Sequence, residues 1–102
     1  MRKGTDVTVY INDVAGPFSD RTARLTWVNQ FTLRDYFGST AAAMGHVLGQ
    51  VNNSLSADFV TPVRAAIAAR RGAGELREGD MVQVGGDSFM VTAGGFARWF
   101  DE

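Results

Sequence analysis

Thr32–Val51, TLRDYFGSTAAAMGHVLGQV, is the stretch whose reading decides the fold, because segments that alternate like strands flank it on both sides. Thr32 has the side chain of a helix N-cap, and Asp35 three positions on completes a capping box. Phe31 stands where a hydrophobic staple precedes the cap. A helix is therefore predicted from Leu33 to Phe37. Gly38, Ser39 and Thr40 then read in two ways, as the end of that helix followed by a new N-cap or as a kink inside one longer helix. Beyond them Ala41, Met44, Leu48, Val51 and Leu55 recur at intervals of 3, 4, 3 and 4, the seam of a helix packed along one side. Gly45, Gly49, Asn52 and Asn53 are poor helix formers, so a strand over 46–53 with Val47, Gly49 and Val51 inward is the alternative. Helix is the preferred reading.

Upstream, Val7, Val9 and Ile11 alternate with Thr8, Tyr10 and Asn12, the period of a half-buried strand. Asn12-Asp13 and Gly16-Pro17 are turn signals. A second strand is read over Thr22–Val28, with Ala23, Leu25 and Trp27 on one side and Arg24, Thr26 and Val28 on the other. The loop between these strands, roughly nine residues, is longer than hairpins usually carry. That length suits a mobile or contact-making segment.

Downstream, Thr61 and Pro62 predict an N-cap and first helical position, and the helix closes at Gly72 with Arg70 and Arg71 at its negative end. Val63, Ala66, Ile67 and Arg70 fall on one side of it. LREGDMVQVGGDSFMVT reads as a hairpin. A two-residue Gly86-Asp87 turn would pair Val84 with Phe89 and Val82 with Val91. After Gly94-Gly95, the spacing of Phe96, Trp99 and Phe100 predicts a helical turn with those rings on one side. The element order, strands then helices then strands, predicts a single α+β domain over 1–102. N-terminal and C-terminal hairpins form an antiparallel or mixed sheet, with two to three central helices on one face.

The early hairpin followed by TLRDYF, together with LREGDMVQV near the end, resembles the β-grasp fold of ubiquitin and the small sulfur-carrier proteins. The resemblance implies a topology in which VLGQVNNSL is the middle strand. The sulfur carriers end in a Gly-Gly tail, whereas here Gly94-Gly95 is internal and the sequence closes Phe100-Asp101-Glu102, so no activity is carried over.

Composition narrows the chemistry. Hydrophobic residues make up 45% and charged residues 21% of the 102, the balance of a folded globular chain rather than a disordered one. A formal net charge of −1 gives no bulk attraction to nucleic acid or anionic lipid. With no Cys, disulfides, thiolate catalysis and Cys-based zinc sites are excluded. Met1-Arg2-Lys3 is basic, but Gly4, Thr5 and Asp6 interrupt any leader-like apolar run, and no run approaches the ~18 apolar residues of a membrane span. A soluble, cytoplasmic protein without a membrane role is expected.

His46 is the only histidine, so a His-based triad partner or a two-His metal site has little to build on. The Asp residues are scattered and read as structural: Asp35 in a cap, Asp87 in a turn, Asp80 at the start of a strand. Gly85-Gly86-Asp87 is no phosphate loop, because the only Lys is Lys3 and the motif needs Lys-Ser/Thr after the glycines. Gly45 and Gly49 form a GxxxG that permits close approach of a neighbour. Two surface candidates remain. Arg70, Arg71 and Arg77, with Arg64, would form a basic edge for phosphate or an acidic partner. Phe96, Arg98, Trp99 and Phe100 combine the residue types enriched in interface hot spots. No catalytic or metal-binding set stands out, and no cofactor is implied. The sequence favours a small non-enzymatic module that binds protein, as a homo-oligomer or as an accessory protein of a phage or mobile element. The alternative is a nucleic-acid-associated regulatory protein using the Arg cluster.

Overall fold

A computed structural model describes residues 4–12, 25–34 and 38–99. The elements are β1 (Thr5–Asn12), β2 (Leu25–Leu33), α1 (Thr40–Asn52), α2 (Val60–Arg71), β3 (Met81–Val84), β4 (Asp87–Thr92) and β5 (Gly95–Trp99). The five strands form one sheet in the order β2-β1-β3-β4-β5, and every pairing is antiparallel. The fold is α+β, with a layer of two helices on one side of the sheet.

Strand alternation sets which side is covered. Val7, Val9 and Ile11 from β1, Val82 and Val84 from β3, and Phe89 and Val91 from β4 are buried in one cluster with Met44, Val47 and Val51 of α1 and Val63 and Ile67 of α2. Burying each such side chain contributes ~1.5–3 kcal/mol. In β2 the register shifts opposite Val9 and Tyr10, leaving Val28 as an extra residue. This β-bulge keeps Val28 buried while Trp27, opposite Tyr10 on the other side of the sheet, is 53% exposed.

The segment that decides the fold divides at Gly38. α1 begins at Thr40 with Ser39 as N-cap, its hydroxyl accepting from the Ala42 N–H at 3.1 Å, and runs through Asn52. Residues 46–52 are thus helical, as preferred. The buried stripe is Ala43, Met44, Val47 and Val51, turned from the predicted one. Leu55 lies beyond the helix and is exposed, while Ala41 and Leu48 pack at the margin of the core.

The expected helix from Leu33 is overturned. Phe31 and Leu33 continue β2, opposite Val7 and Thr5, and the Thr32 hydroxyl donates to the Asp6 carboxylate at 3.1 Å instead of capping. Cross-strand pairing and the inward burial of Leu33 outweigh a local capping signal. Asp35 and the remainder of the expected helix, 35–37, lie outside the described residues, as does the long early loop. Of the strand read over Thr22–Val28, residues 25–28 belong to β2, which runs on to Leu33, and residues 22–24 lie outside the described residues. Because VLGQVNNSL is helix and turn, the middle strand implied by the β-grasp resemblance is not formed.

α2 starts one residue before Thr61, with Phe59 at the N-cap position and no side-chain cap. Pro62 still falls in the first turn, where N–H groups have no helical acceptor. At the other end Gly72, at φ +80, donates its N–H to Ala68 as expected of a left-handed cap.

The C-terminal hairpin has a two-residue turn, but its residues are Gly85 and Gly86. Val82 stands opposite Phe89 and Val84 opposite Asp87, two positions from the predicted register. A shift of two preserves the inward face. Gly85 at φ +60 occupies the first central position, where a type II′ turn requires glycine. The helical turn expected at 96–100 is also overturned: Gly95–Trp99 forms β5 on the edge of β4. The ring of Phe96 meets that of Phe89 edge-on with centroids 5.6 Å apart, so period two outweighs period 3.6. The C-terminal part is a three-stranded meander, and among the described residues there are two helices, not three.

The loop from Gly72 to Asp80 is fastened at both sides. The Asn52 amide donates to the Leu76 carbonyl at 3.1 Å and accepts from the Leu76 N–H at 2.8 Å. Asp80, 1% exposed, accepts from the Arg71 guanidinium, the Asn12 N–H and the Arg77 N–H. No described helix is long and apolar enough to cross a membrane.

Candidate binding groove

A concavity opens where β2 ends over the start of α2. It encloses about 530 Å³, and its walls are Phe31 to Arg34, His46, and Ala57 to Phe59 with Pro62. Strand alternation points Phe31 toward the helices, and Phe59 ends the α1–α2 connection beneath it. The two rings stack at 4.5 Å with a 4° interplanar angle. His46, half-buried on α1, meets Phe59 edge-on at 5.8 Å.

The connection that presents Phe59 is ordered by Gln50, whose side-chain oxygen accepts from the Ala57 N–H at 3.1 Å. The Ala57 carbonyl in turn accepts from the Val60 N–H at 3.0 Å. The Asn29 amide donates to the Pro62 carbonyl at 3.4 Å, tying β2 to α2 at the inner end of the groove. Arg34 and Asp58 stand exposed at its rim. A few polar groups around an aromatic floor suit orientation and apolar contact. No group of three His, Cys, Asp or Glu able to hold a metal ion occurs among the described residues.

The arginines named from sequence do not form one patch. Arg71 is turned inward to Asp80 and also donates to the Glu75 carbonyl at 2.8 Å. Arg64 reaches the Val51 carbonyl near the end of α1 at 2.6 Å, an oxygen that also accepts from the Ser54 N–H at 3.2 Å. Arg70 and Arg77 remain exposed.

The aromatic end divides as well. Phe96 is partly buried against the core and stands beside Gly45, where a Cβ would lie 3.6 Å from the ring. At that distance an added methyl would make ordinary van der Waals contact, so the Phe96 ring does not itself require glycine at position 45. Arg98 is 41% exposed, pairs with Asp87 at 3.1 Å and lies 5.3 Å above the Phe89 ring. Asp87 also accepts from the Thr40 hydroxyl at 2.5 Å, so the start of α1, the turn and β5 meet there. Trp99 stands in register with Ser88, and Phe100 lies outside the described residues. Of the groove residues, sequence singled out His46 as the lone histidine, Phe31 as a staple, Thr32 and Leu33 as a helix start and Pro62 as a first helical position, none of them as parts of one recess. Phe59 and Pro62 meet Phe31 across a separation of about thirty positions that no local pattern reports.

No protein-family model, curated protein or solved structure matches this chain.

Proposed function

We propose that this chain is a small non-enzymatic module that binds a protein partner, and that the groove between β2 and α2 is where it does so. The observation that carries the reading is the Phe31–Phe59 stack with His46 on its edge, which places aromatic surface in a concavity rather than in the sealed core. Large rings held rigid in a recess bind at low entropic cost. Two of the four arginines on which a nucleic-acid role rests, Arg64 and Arg71, are engaged within the fold. That lowers the nucleic-acid alternative further.

Selection of a displayed random peptide library on the full chain tests the proposal, with Phe59→Ser as the counter-target. Peptides that bind the wild-type chain and lose at least ~1.4 kcal/mol, about tenfold, on the variant support it. Ligands indifferent to Phe59→Ser would place binding elsewhere and refute it.

A further inference from the structure

The two edges of the sheet are unlike each other. β5 is five residues long, begins with Gly95 and carries Arg98, a short charged edge of the kind that resists further pairing. β2 is nine residues long. Beyond its bulge, Asn29 to Leu33 contains no proline and no charge. Among the described residues β2 has a strand neighbour on one side only. The carbonyl oxygen of Leu33 lies against Gly4, where a Cβ would sit 2.6 Å from it, so the main-chain groups of Leu33 face β1. Strand alternation then turns those of Gln30 and Thr32 outward. The groove is lined by consecutive residues of both parities, Phe31 to Arg34, which happens when a cleft runs beside a strand's edge rather than over one face.

Resting on the reading of the groove as a protein-binding site, we propose that its ligand is an extended peptide segment that adds to β2 as a sixth strand. Its backbone pairs with the outward groups of Gln30 and Thr32. An inward side chain, large and apolar, lies against the Phe31–Phe59 stack. A neighbouring outward side chain, acidic, meets Arg34, which neither described ion pair engages. Because faces alternate along a strand, the apolar and acidic residues stand an odd number of positions apart.

The test uses the full chain and a terminally blocked random heptapeptide library, read in four ways. Selected sequences free of proline, with apolar and acidic residues at odd spacing and an affinity that falls about tenfold on N-methylation at alternate positions, support strand addition. Arg34→Glu should then exchange the preference for an acidic residue for a basic one, again by about tenfold. Selected peptides that need Phe59 but carry apolar residues at helical spacing, or tolerate N-methylation throughout, overturn strand addition and leave the binding-module reading standing. Failure to select any groove-dependent peptide overturns both. A dimer in light scattering that Gln30→Pro abolishes would assign the edge to a second copy and overturn the foreign-peptide proposal.

Discussion

Arg71 in the last turn of α2 and Asp80 just before β3 form a buried ion pair, with side chains 10% and 1% exposed. Because Asp80 also accepts from the main chain of Asn12 and Arg77, one carboxylate joins the end of β1, the end of α2 and the loop into β3. Removing one member of a buried pair strands the other without compensation. Asp80→Asn should therefore cost ~3 kcal/mol or more. Urea denaturation followed by circular dichroism checks this, and adding Arg71→Met to the variant should cost less than the two changes measured separately.

The turn register predicts an asymmetry between adjacent glycines. Gly85 has φ +60, so Gly85→Ala should lose ~1–2 kcal/mol through backbone strain alone. At Gly86 an added Cβ would meet nothing within 4 Å and φ is not positive, so Gly86→Ala should change stability by less than ~0.5 kcal/mol. Thermal denaturation of the two variants would reverse this order if the turn were Gly86-Asp87.

Asn52 predicts a local effect more than a global one. Its amide is the partner of both Leu76 main-chain groups, and Asn52→Ala leaves them unsatisfied at a cost of ~1–3 kcal/mol. Hydrogen exchange should show faster exchange at Leu76 and its neighbours, while the amides of β1 and β3 keep their protection order.

Phe96 and Arg98 predict opposite outcomes although they lie two residues apart. Phe96→Ala removes a ring packed on Phe89 and should destabilise by ~2 kcal/mol, below the usual range for a wholly buried Phe because this ring is only partly buried. Arg98→Ala breaks an exposed pair with Asp87 and should cost under ~1 kcal/mol. Denaturant midpoints for both variants provide the comparison.

The fold was legible where one period dominated a segment, as in β1 with Val7, Val9 and Ile11, or where a terminus carried its own chemistry, as at Gly72. It was misread where a local signal competed with a distant partner. Thr32 and Phe31 look like the start of a helix until β1 offers them a strand to pair with, and Phe96 looks helical until β4 supplies an open edge. The hairpin register turned on which of two adjacent glycines takes the left-handed conformation, which the pairing of valines on one face does not determine. The groove was less legible still. Its floor joins Phe31, His46 and Phe59 from a strand, a helix and a connection, and their meeting depends on the two helices packing beneath β2. The basic edge was legible as composition only, since nothing local announces that Arg71 turns inward to Asp80.

The groove as the site of protein binding is tested most directly by NMR titration of the full, isotopically labelled chain with a peptide from the library selection. The account predicts that the largest shift changes fall on the amides of Gln30 to Arg34, on the His46 ring and on Ala57 to Phe59, with the signals of Arg70, Arg77 and Arg98 unmoved. Changes centred on β5 or on Arg70 and Arg77, with Phe31 and Phe59 unaffected, would contradict it.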